Sequence, residues 1–105
     1  MNEQILTELL TKAKLALRIT TETFDQEIKD ILQAGCEDLE TRGVTVINNG
    51  SVSFLATRAL LTYVRYHFGD PENPEKLKAS YDEQKAQLMT TTDYTNWGED
   101  DNGQE

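Results

Sequence analysis

Few side chains in this sequence have the type and spacing that chemistry needs. His67 is the single histidine and Cys36 the single cysteine, so a histidine pair, a cysteine cluster and an internal disulfide are all excluded. His67 falls near the end of a predicted helix, where the helix dipole favours positive charge. Cys36 falls near an apolar helix face, where burial makes a thiol unreactive. We interpret both as structural residues.

Clustered carboxylates are the remaining candidates for catalysis or metal binding. Glu37, Asp38 and Glu40 lie on a predicted helix, and residues 99–101 form an acidic run in a polar C-terminal stretch. Carboxylates transfer protons or bind cations when a rigid site holds them, and neither a solvated helix face nor a polar tail does so. The sequence contains no phosphate loop, dinucleotide fingerprint or nucleophile motif. We therefore expect no catalytic residues, no metal ligands, no cofactor and no enzymatic activity.

Two aromatic residues, Tyr94 and Trp97, stand in a polar, acidic stretch that offers no local core. Large aromatic side chains of this kind often anchor a segment on a partner, because each buries much area at low entropic cost. Alternatively, Trp97 folds back onto the rest of the chain. The sequence leaves both interpretations open.

Apolar residues at three- and four-residue spacing predict an all-α fold, a small four-helix domain. Thr23 and Gln26 have the spacing of a capping box at the start of the second helix. Gly35 lies on the apolar face of that helix and predicts close approach of another helix. The third helix is so apolar that it should be central or covered by a partner. The predicted helices span residues 2–18, 24–42, 53–68 and 74–89.

The stretch between the second and third helices, residues 43–52, is predicted as a long loop. Asn49-Gly50 is also a hairpin signal, and Ser51 or Ser53 could cap the following helix. From Thr90 onward the sequence loses its periodicity and almost all aliphatic content. We predict a helical domain over residues 1–91 and a flexible acidic tail over residues 92–105, disordered or ordered by a partner.

Charge narrows the possible partners. The chain has 10 Lys and Arg against 19 Asp and Glu, a net charge of -9, which repels phosphate backbones and anionic membranes. Specific nucleic-acid binding and membrane association are therefore not expected. We also expect no signal peptide and no membrane-spanning helix, since the sequence has no apolar run of ~20 residues. The third helix is the exception in charge, because Arg58 and Arg65 are its only charged residues. Such complementary surfaces suit subunits that pack side by side, which makes Arg58, Tyr63, Arg65 and Tyr66 the candidate subunit interface.

Several segments, taken in order, resemble the head–tail connector proteins of tailed bacteriophages, also called adaptor or head-completion proteins. The resemblance covers roughly residues 5–94. The chain departs from the family's pattern at Gly35-Cys36 and in the acidic stretch after Trp97. The segments that carry the resemblance are residues 14–19, 24–28, 38–44, 59–70 and 81–88, followed by Tyr94.

This resemblance implies a four-helix structural protein of the virion, assembled in the bacterial host cytoplasm and located at the head–tail interface. Family members form a ring, usually twelve-fold, on the portal protein after DNA packaging, extend the DNA channel and receive stopper or tail-completion proteins. It further implies that Tyr94 and Trp97 dock on the portal. The loop residues that would face the channel or the next ring are Val46, Asn48, Asn49 and Gly50.

Three other functions compete with this one. A small acidic regulator that mimics DNA and inhibits a DNA-handling enzyme would need regularly spaced carboxylates, which the sequence lacks, and the basic third helix argues against it. A metal-dependent enzyme would need preorganised ligands. Helix-turn-helix binding to DNA fits the number of helices but contradicts the charge.

Overall fold

The computed structural model describes residues 2–90, which fold into four helices and a short hairpin. Each helix begins and ends within one residue of its predicted bounds, so the all-α prediction is confirmed. No helix within residues 2–90 is long and apolar enough to cross a membrane. In chain order the elements are α1 (Glu3–Leu17), α2 (Asp25–Thr41), β1 (Ile47–Asn48), β2 (Ser51–Val52), α3 (Phe54–His67) and α4 (Pro74–Met89).

Helix α3 is the centre of the fold, since it contacts each of the other three helices. Helices α1 and α2 pack against α3 and against each other, and α4 packs along α3. The broad apolar surface of α3 is therefore covered largely by its own chain. The buried side chains that form the core are Ile5, Leu6, Leu9, Leu10, Ala13, Ile28, Leu32, Cys36, Leu39, Val44, Val46, Ala56, Ala59, Leu60, Val64, Tyr81 and Leu88.

Helices α1 and α2 both end in a left-handed turn that satisfies carbonyls of the last helical turn. After α2, Gly43 has φ 86°, and the Val44 N–H donates to the Leu39 carbonyl at 3.1 Å. Both Val44 and Leu39 are fully buried, which seals the helix end against the core. Helix α1 ends in the same way, but there Arg18 occupies the left-handed position, with φ 60°. A non-glycine residue in that conformation is strained by its Cβ.

The helix N-termini correct one prediction and confirm another. The capping box at Thr23 is wrong: the N-cap is Phe24, without a side-chain hydrogen bond, and the Thr23 hydroxyl lies 2.9 Å from that of Thr21. The Gln26 amide instead donates to Asp30, one turn along the helix. Of the two serines predicted as alternative caps for α3, Ser53 is the N-cap, because its hydroxyl accepts the Ala56 N–H at 3.1 Å.

The close helix approach predicted from Gly35 is present. A Cβ built at Gly35 would lie 2.9 Å from Cδ2 of Tyr63 and 3.1 Å from Cδ2 of Leu60. Both neighbours belong to α3, so the absence of a side chain at residue 35 brings α2 and α3 together. This contact fixes which side of α3 is turned toward α2.

The stretch predicted as a long loop contains the hairpin that the Asn49-Gly50 signal indicated. Ile47 pairs with Val52 and Asn48 with Ser51 in an antiparallel register. Asn49 and Gly50 form the turn with φ values of 56° and 80°, the positive values that a tight hairpin turn requires.

Candidate docking surfaces

One exposed row of side chains on α3 combines apolar and basic character. Phe54, Arg58, Leu61 and Arg65 follow one another at spacings of four, three and four residues, so they lie along one side of the helix. Phe54 is 86% exposed, the arginines are exposed and Leu61 is half-buried. We call these four residues the α3 stripe.

The α3 stripe points away from α2 and lies between α1 and α4. Phe54 and Tyr63 are nine residues apart, which is two and a half helical turns, so they lie on opposite sides of α3. Tyr63 is the residue that meets Gly35 of α2. At the other end of the stripe, Arg65 lines a cleft of about 670 Å³ with Leu17 of α1 and Leu77 of α4.

The two arginines of the stripe give it a positive charge. Within residues 2–90 neither Arg58 nor Arg65 forms an ion pair, and α3 contains no acidic residue. The lysines, by contrast, are mostly paired: Lys14 with Asp25, Lys29 with Glu3, Lys78 with Asp82 and Lys85 with Asp38. The stripe is thus a basic, partly apolar surface on an acidic protein.

An acidic cleft lies on the opposite side of α3. It has a volume of about 550 Å³ and is open to solvent. Glu27 and Asp30 give the cleft its negative charge, and both are exposed. Its lining residues are Glu27, Asp30, Ile31, Ala34, Tyr63 and His67, and we call this surface the acidic cleft.

The four residues predicted as one subunit interface are divided between two sides of α3. Arg58 and Arg65 belong to the stripe, whereas Tyr63 and Tyr66 are half-buried on other faces of the helix. The Tyr63 ring lies 4.2 Å from His67 and 5.1 Å from Tyr81, measured between ring centroids. Tyr63 therefore packs within its own chain and presents only part of its ring in the acidic cleft.

A polar cluster that the sequence did not predict joins α4 to α2. The Tyr81 hydroxyl donates to Asp38 at 2.5 Å, and the Lys85 ammonium lies 3.0 Å from the same carboxylate oxygen. Burial by itself would raise the pKa of Asp38, but these two hydrogen bonds and the charges of Lys85 and Arg42 outweigh burial and lower it. Burial and the Asp38 carboxylate together raise the pKa of Tyr81.

This cluster has a structural role rather than a catalytic one. Asp38 is held ionised and Tyr81 is held neutral, so neither group exchanges a proton near neutral pH. Its partners are 43 and 47 residues apart in sequence, which is why no local motif announced it. The only local signal was Tyr81 itself, the one aromatic residue of α4.

Cys36 and the carboxylates near it do not form a reactive site. Burial, and then the negative charge of Glu40, raise the pKa of Cys36 to about 11, so the group is a thiol at neutral pH. Its sulfur lies 3.5 Å from a Glu40 oxygen. Within the part of the chain that the structure describes, no three His, Cys, Asp or Glu side chains are close enough to hold a metal ion.

The predicted loop site is also divided by the structure. Asn48, Asn49 and Gly50 are exposed at the hairpin tip. Val46 is 1% exposed and belongs to the core. Its side chain therefore anchors the hairpin and is not available to a partner, which corrects its inclusion among the loop's contact residues.

Comparison with known protein families gives a match to the model of the phage connector protein family over residues 9–95. The chain belongs to this family. Comparisons with curated proteins and with solved structures gave no match.

Membership gives the connector a structural role in the phage particle, at the junction of head and tail, in a family of structural proteins rather than enzymes. The match ends at residue 95 and so includes Tyr94 but not Trp97 or the acidic residues that follow it. Tyr94 and Trp97, the predicted portal-docking residues, lie outside the residues that the structure describes.

Proposed function

We propose that this connector forms a ring on the portal protein after DNA packaging, extends the DNA channel and receives a stopper or tail-completion protein. The ring is assembled in the host cytoplasm and is twelve-fold, as is usual in the family that the sequence resembles. Tyr94 and Trp97 dock on the portal. The hairpin tip, residues 48–50, faces the channel or the next ring.

The observation that carries this proposal is the position of two complementary surfaces on opposite sides of α3. The α3 stripe offers Arg58 and Arg65 beside Phe54 and Leu61, and the acidic cleft offers carboxylates beside Ile31 and Ala34. Each surface thus supplies what the other lacks, an apolar strip with charge of the opposite sign. In a ring, the stripe of one copy packs into the acidic cleft of the next.

Surfaces on opposite sides of a subunit produce a head-to-tail interface, which closes into a ring when the rotation between copies divides a full turn. A single pair of matching surfaces on one side would give a twofold dimer instead. Tyr63 then acts from the cleft side and the two arginines from the stripe side. The net charge of -9 lets the channel pass DNA without gripping it, because like charges repel.

The test is to mix the connector with its cognate portal and image the complex. The wild-type chain should add a ring of density to the portal. Arg58→Glu with Arg65→Glu should abolish the ring, because the variant stripe repels the acidic cleft. The pair Glu27→Lys with Asp30→Lys should fail in the same way, and a chain carrying all four changes should recover the ring.

Lys12→Glu with Arg18→Glu is the matched control, since both residues are exposed, form no ion pair within residues 2–90 and lie outside the stripe. This variant has the same net charge as the stripe variant and should still form the ring. Absence of connector density on the portal with the wild-type chain would refute the proposed function. Tight binding of duplex DNA by the ring at physiological salt would refute the non-gripping channel.

A further inference from the structure

The end of α4 lies level with the start of α3. The Tyr63 and Tyr81 rings are 5.1 Å apart, and Tyr66 and Lys78, three residues further in opposite directions, line one cleft. Helices α3 and α4 are therefore antiparallel, and a step of three residues along one helix matches a step of three residues back along the other. Phe54 and Thr90 are each nine residues from the Tyr63–Tyr81 contact, so they lie at the same height along the bundle.

The chain thus leaves its described part at the same height along the bundle as Phe54, the most exposed large apolar side chain in residues 2–90. Phe54 is 86% exposed, and it begins the stripe that continues to Arg58 and Arg65. Exposed aromatic side chains that adjoin unneutralised charge are typical of docking surfaces. An occupant needs apolar or aromatic groups and negative charge.

The residues that follow Thr90 have this composition. Residues 91–105 contain five acidic residues and no Lys or Arg, together with Tyr94 and Trp97. Trp97 is seven residues beyond Thr90, a reach of up to ~24 Å, whereas the stripe from Phe54 to Arg65 spans eleven residues of helix, or ~16 Å. Along the bundle axis, the reach of Trp97 therefore exceeds the length of the stripe, and the acidic residues after Trp97 reach further still.

We infer that in the free connector the C-terminal segment, residues 91–105, lies back along the α3 stripe of its own chain. Tyr94 and Trp97 cover Phe54 and Leu61, and the acidic residues neutralise Arg58 and Arg65. Attachment to the same chain gives the segment a local concentration in the millimolar range, above that of any separate copy in dilute solution.

The α3 stripe then has two competing occupants, the C-terminal segment of its own chain and the acidic cleft of a neighbouring copy. The second occupant rests on the proposed function. In the free chain the segment covers the stripe, so the acidic cleft of another copy cannot bind it and the chain remains monomeric. When the portal captures Tyr94 and Trp97, the stripe is released for the neighbouring subunit. Ring closure is thereby coupled to arrival at the portal.

Trp97 is the only tryptophan in the sequence, so its fluorescence reports the segment in the intact chain without a label. The measurement is acrylamide quenching of Trp97 in the free full-length protein at low salt. We expect Trp97 to be protected in the wild-type chain. Arg58→Gln with Arg65→Gln should lower the ratio of docked to free segment about tenfold, since an exposed ion pair shifts such an equilibrium by a few-fold.

Two further variants separate the charge from the apolar part of the surface. Phe54→Ser should also expose Trp97, and a residue that is 86% exposed can be replaced without loss of the fold. Lys12→Gln with Arg18→Gln, which removes the same amount of charge away from the stripe, should leave quenching unchanged. Added salt should expose Trp97 in the wild-type chain.

Three outcomes would overturn the inference. Trp97 as exposed in the wild-type chain as in free tryptophan would show that the segment does not dock. If Trp97 stays equally protected from quenching in Phe54→Ser and in Arg58→Gln with Arg65→Gln, the segment lies on another surface. Protection that disappears on dilution would show docking on a second copy.

The inference and the proposed function fail separately. Loss of portal binding with Trp97 still protected in the free chain would refute the function and leave the docking intact. A ring on the portal combined with an exposed Trp97 in the free chain would refute the docking and leave the proposed function intact. If both hold, Arg58→Gln with Arg65→Gln should expose Trp97 and also weaken the ring.

Discussion

Replacing Gly35 with alanine tests the close approach of α2 to α3, on which the placement of the two docking surfaces depends. The new Cβ would lie 2.9 Å from Cδ2 and 3.1 Å from Cγ of Tyr63. The ring cannot move away freely, because His67 and Tyr81 lie 4.2 and 5.1 Å from it. The other near atom, Cδ2 of Leu60 at 3.1 Å, ends a flexible side chain and can yield.

Two effects of opposite sign determine the size of the change. Overpacking a helix contact costs about 1–3 kcal/mol, and replacing glycine by alanine within a helix gains about 1 kcal/mol. Because the contact is with ring carbons close to the backbone, we expect overpacking to dominate. Gly35→Ala should lower the free energy of unfolding by about 1 kcal/mol.

The assay is urea denaturation of Gly35→Ala in two backgrounds, the wild-type chain and Tyr63→Ala. Without the Tyr63 ring only the helix preference remains, so Gly35→Ala should then raise the free energy of unfolding by about 1 kcal/mol. The difference between Gln33→Ala and Gln33→Gly, at an exposed position of the same helix, measures that preference directly. A stabilising Gly35→Ala in the wild-type chain, or an equal loss in both backgrounds, would refute the close contact.

Three further predictions follow from other parts of the fold. Tyr81→Phe removes a hydrogen bond to ionised Asp38 and should cost about 1–2 kcal/mol in urea denaturation, because Asp38 is only partly buried. Tyr66→Phe, which removes a hydroxyl without a hydrogen-bond partner in residues 2–90, should cost much less, and equal losses would contradict the role of the cluster. Arg18→Gly should raise the melting temperature, corresponding to a gain of about 1 kcal/mol, since glycine relieves the left-handed strain; an unchanged or lower value would contradict it. The raised pKa of Cys36 favours the folded state below about pH 9, and this stabilisation should be lost as pH rises toward about 11. The measurement is urea denaturation at about pH 9 and about pH 11. The free energy of unfolding lost between these two pH values should be smaller by about 2 kcal/mol in Cys36→Ala than in the wild-type chain. Identical pH profiles of the two proteins would contradict this prediction.

The stripe and the acidic cleft show why candidate surfaces were harder to predict than helices. Arg58, Tyr63, Arg65 and Tyr66 form one group in the sequence because they share a helix and stand out in type. The structure separates them, since Gly35 turns Tyr63 toward α2 and thereby turns the arginines away from it. Phe54, at the helix start, was not singled out, because its exposure depends on where α1 and α4 lie.

The hairpin shows the same division on a smaller scale. Asn49-Gly50 indicated the turn from local conformational preference alone, and the turn is present. Whether Val46 faces a partner or the core depends on how the hairpin packs, and the structure buries it. The failed capping box at Thr23 has a similar cause, because the Thr23 hydroxyl pairs with Thr21 rather than with the helix.

The sequence by itself determined the four helices, their bounds, the Gly35 contact and the family. All of these depend on periodicity, on residues a few positions apart, or on an ordered set of segments, which the linear chain contains in full. Only the tertiary structure decided that α4 is tied to α2 through Asp38, Tyr81 and Lys85, and that the basic and acidic surfaces lie on opposite sides of α3. Those relations join residues up to 47 positions apart, and they depend on how each helix is rotated in the packed core.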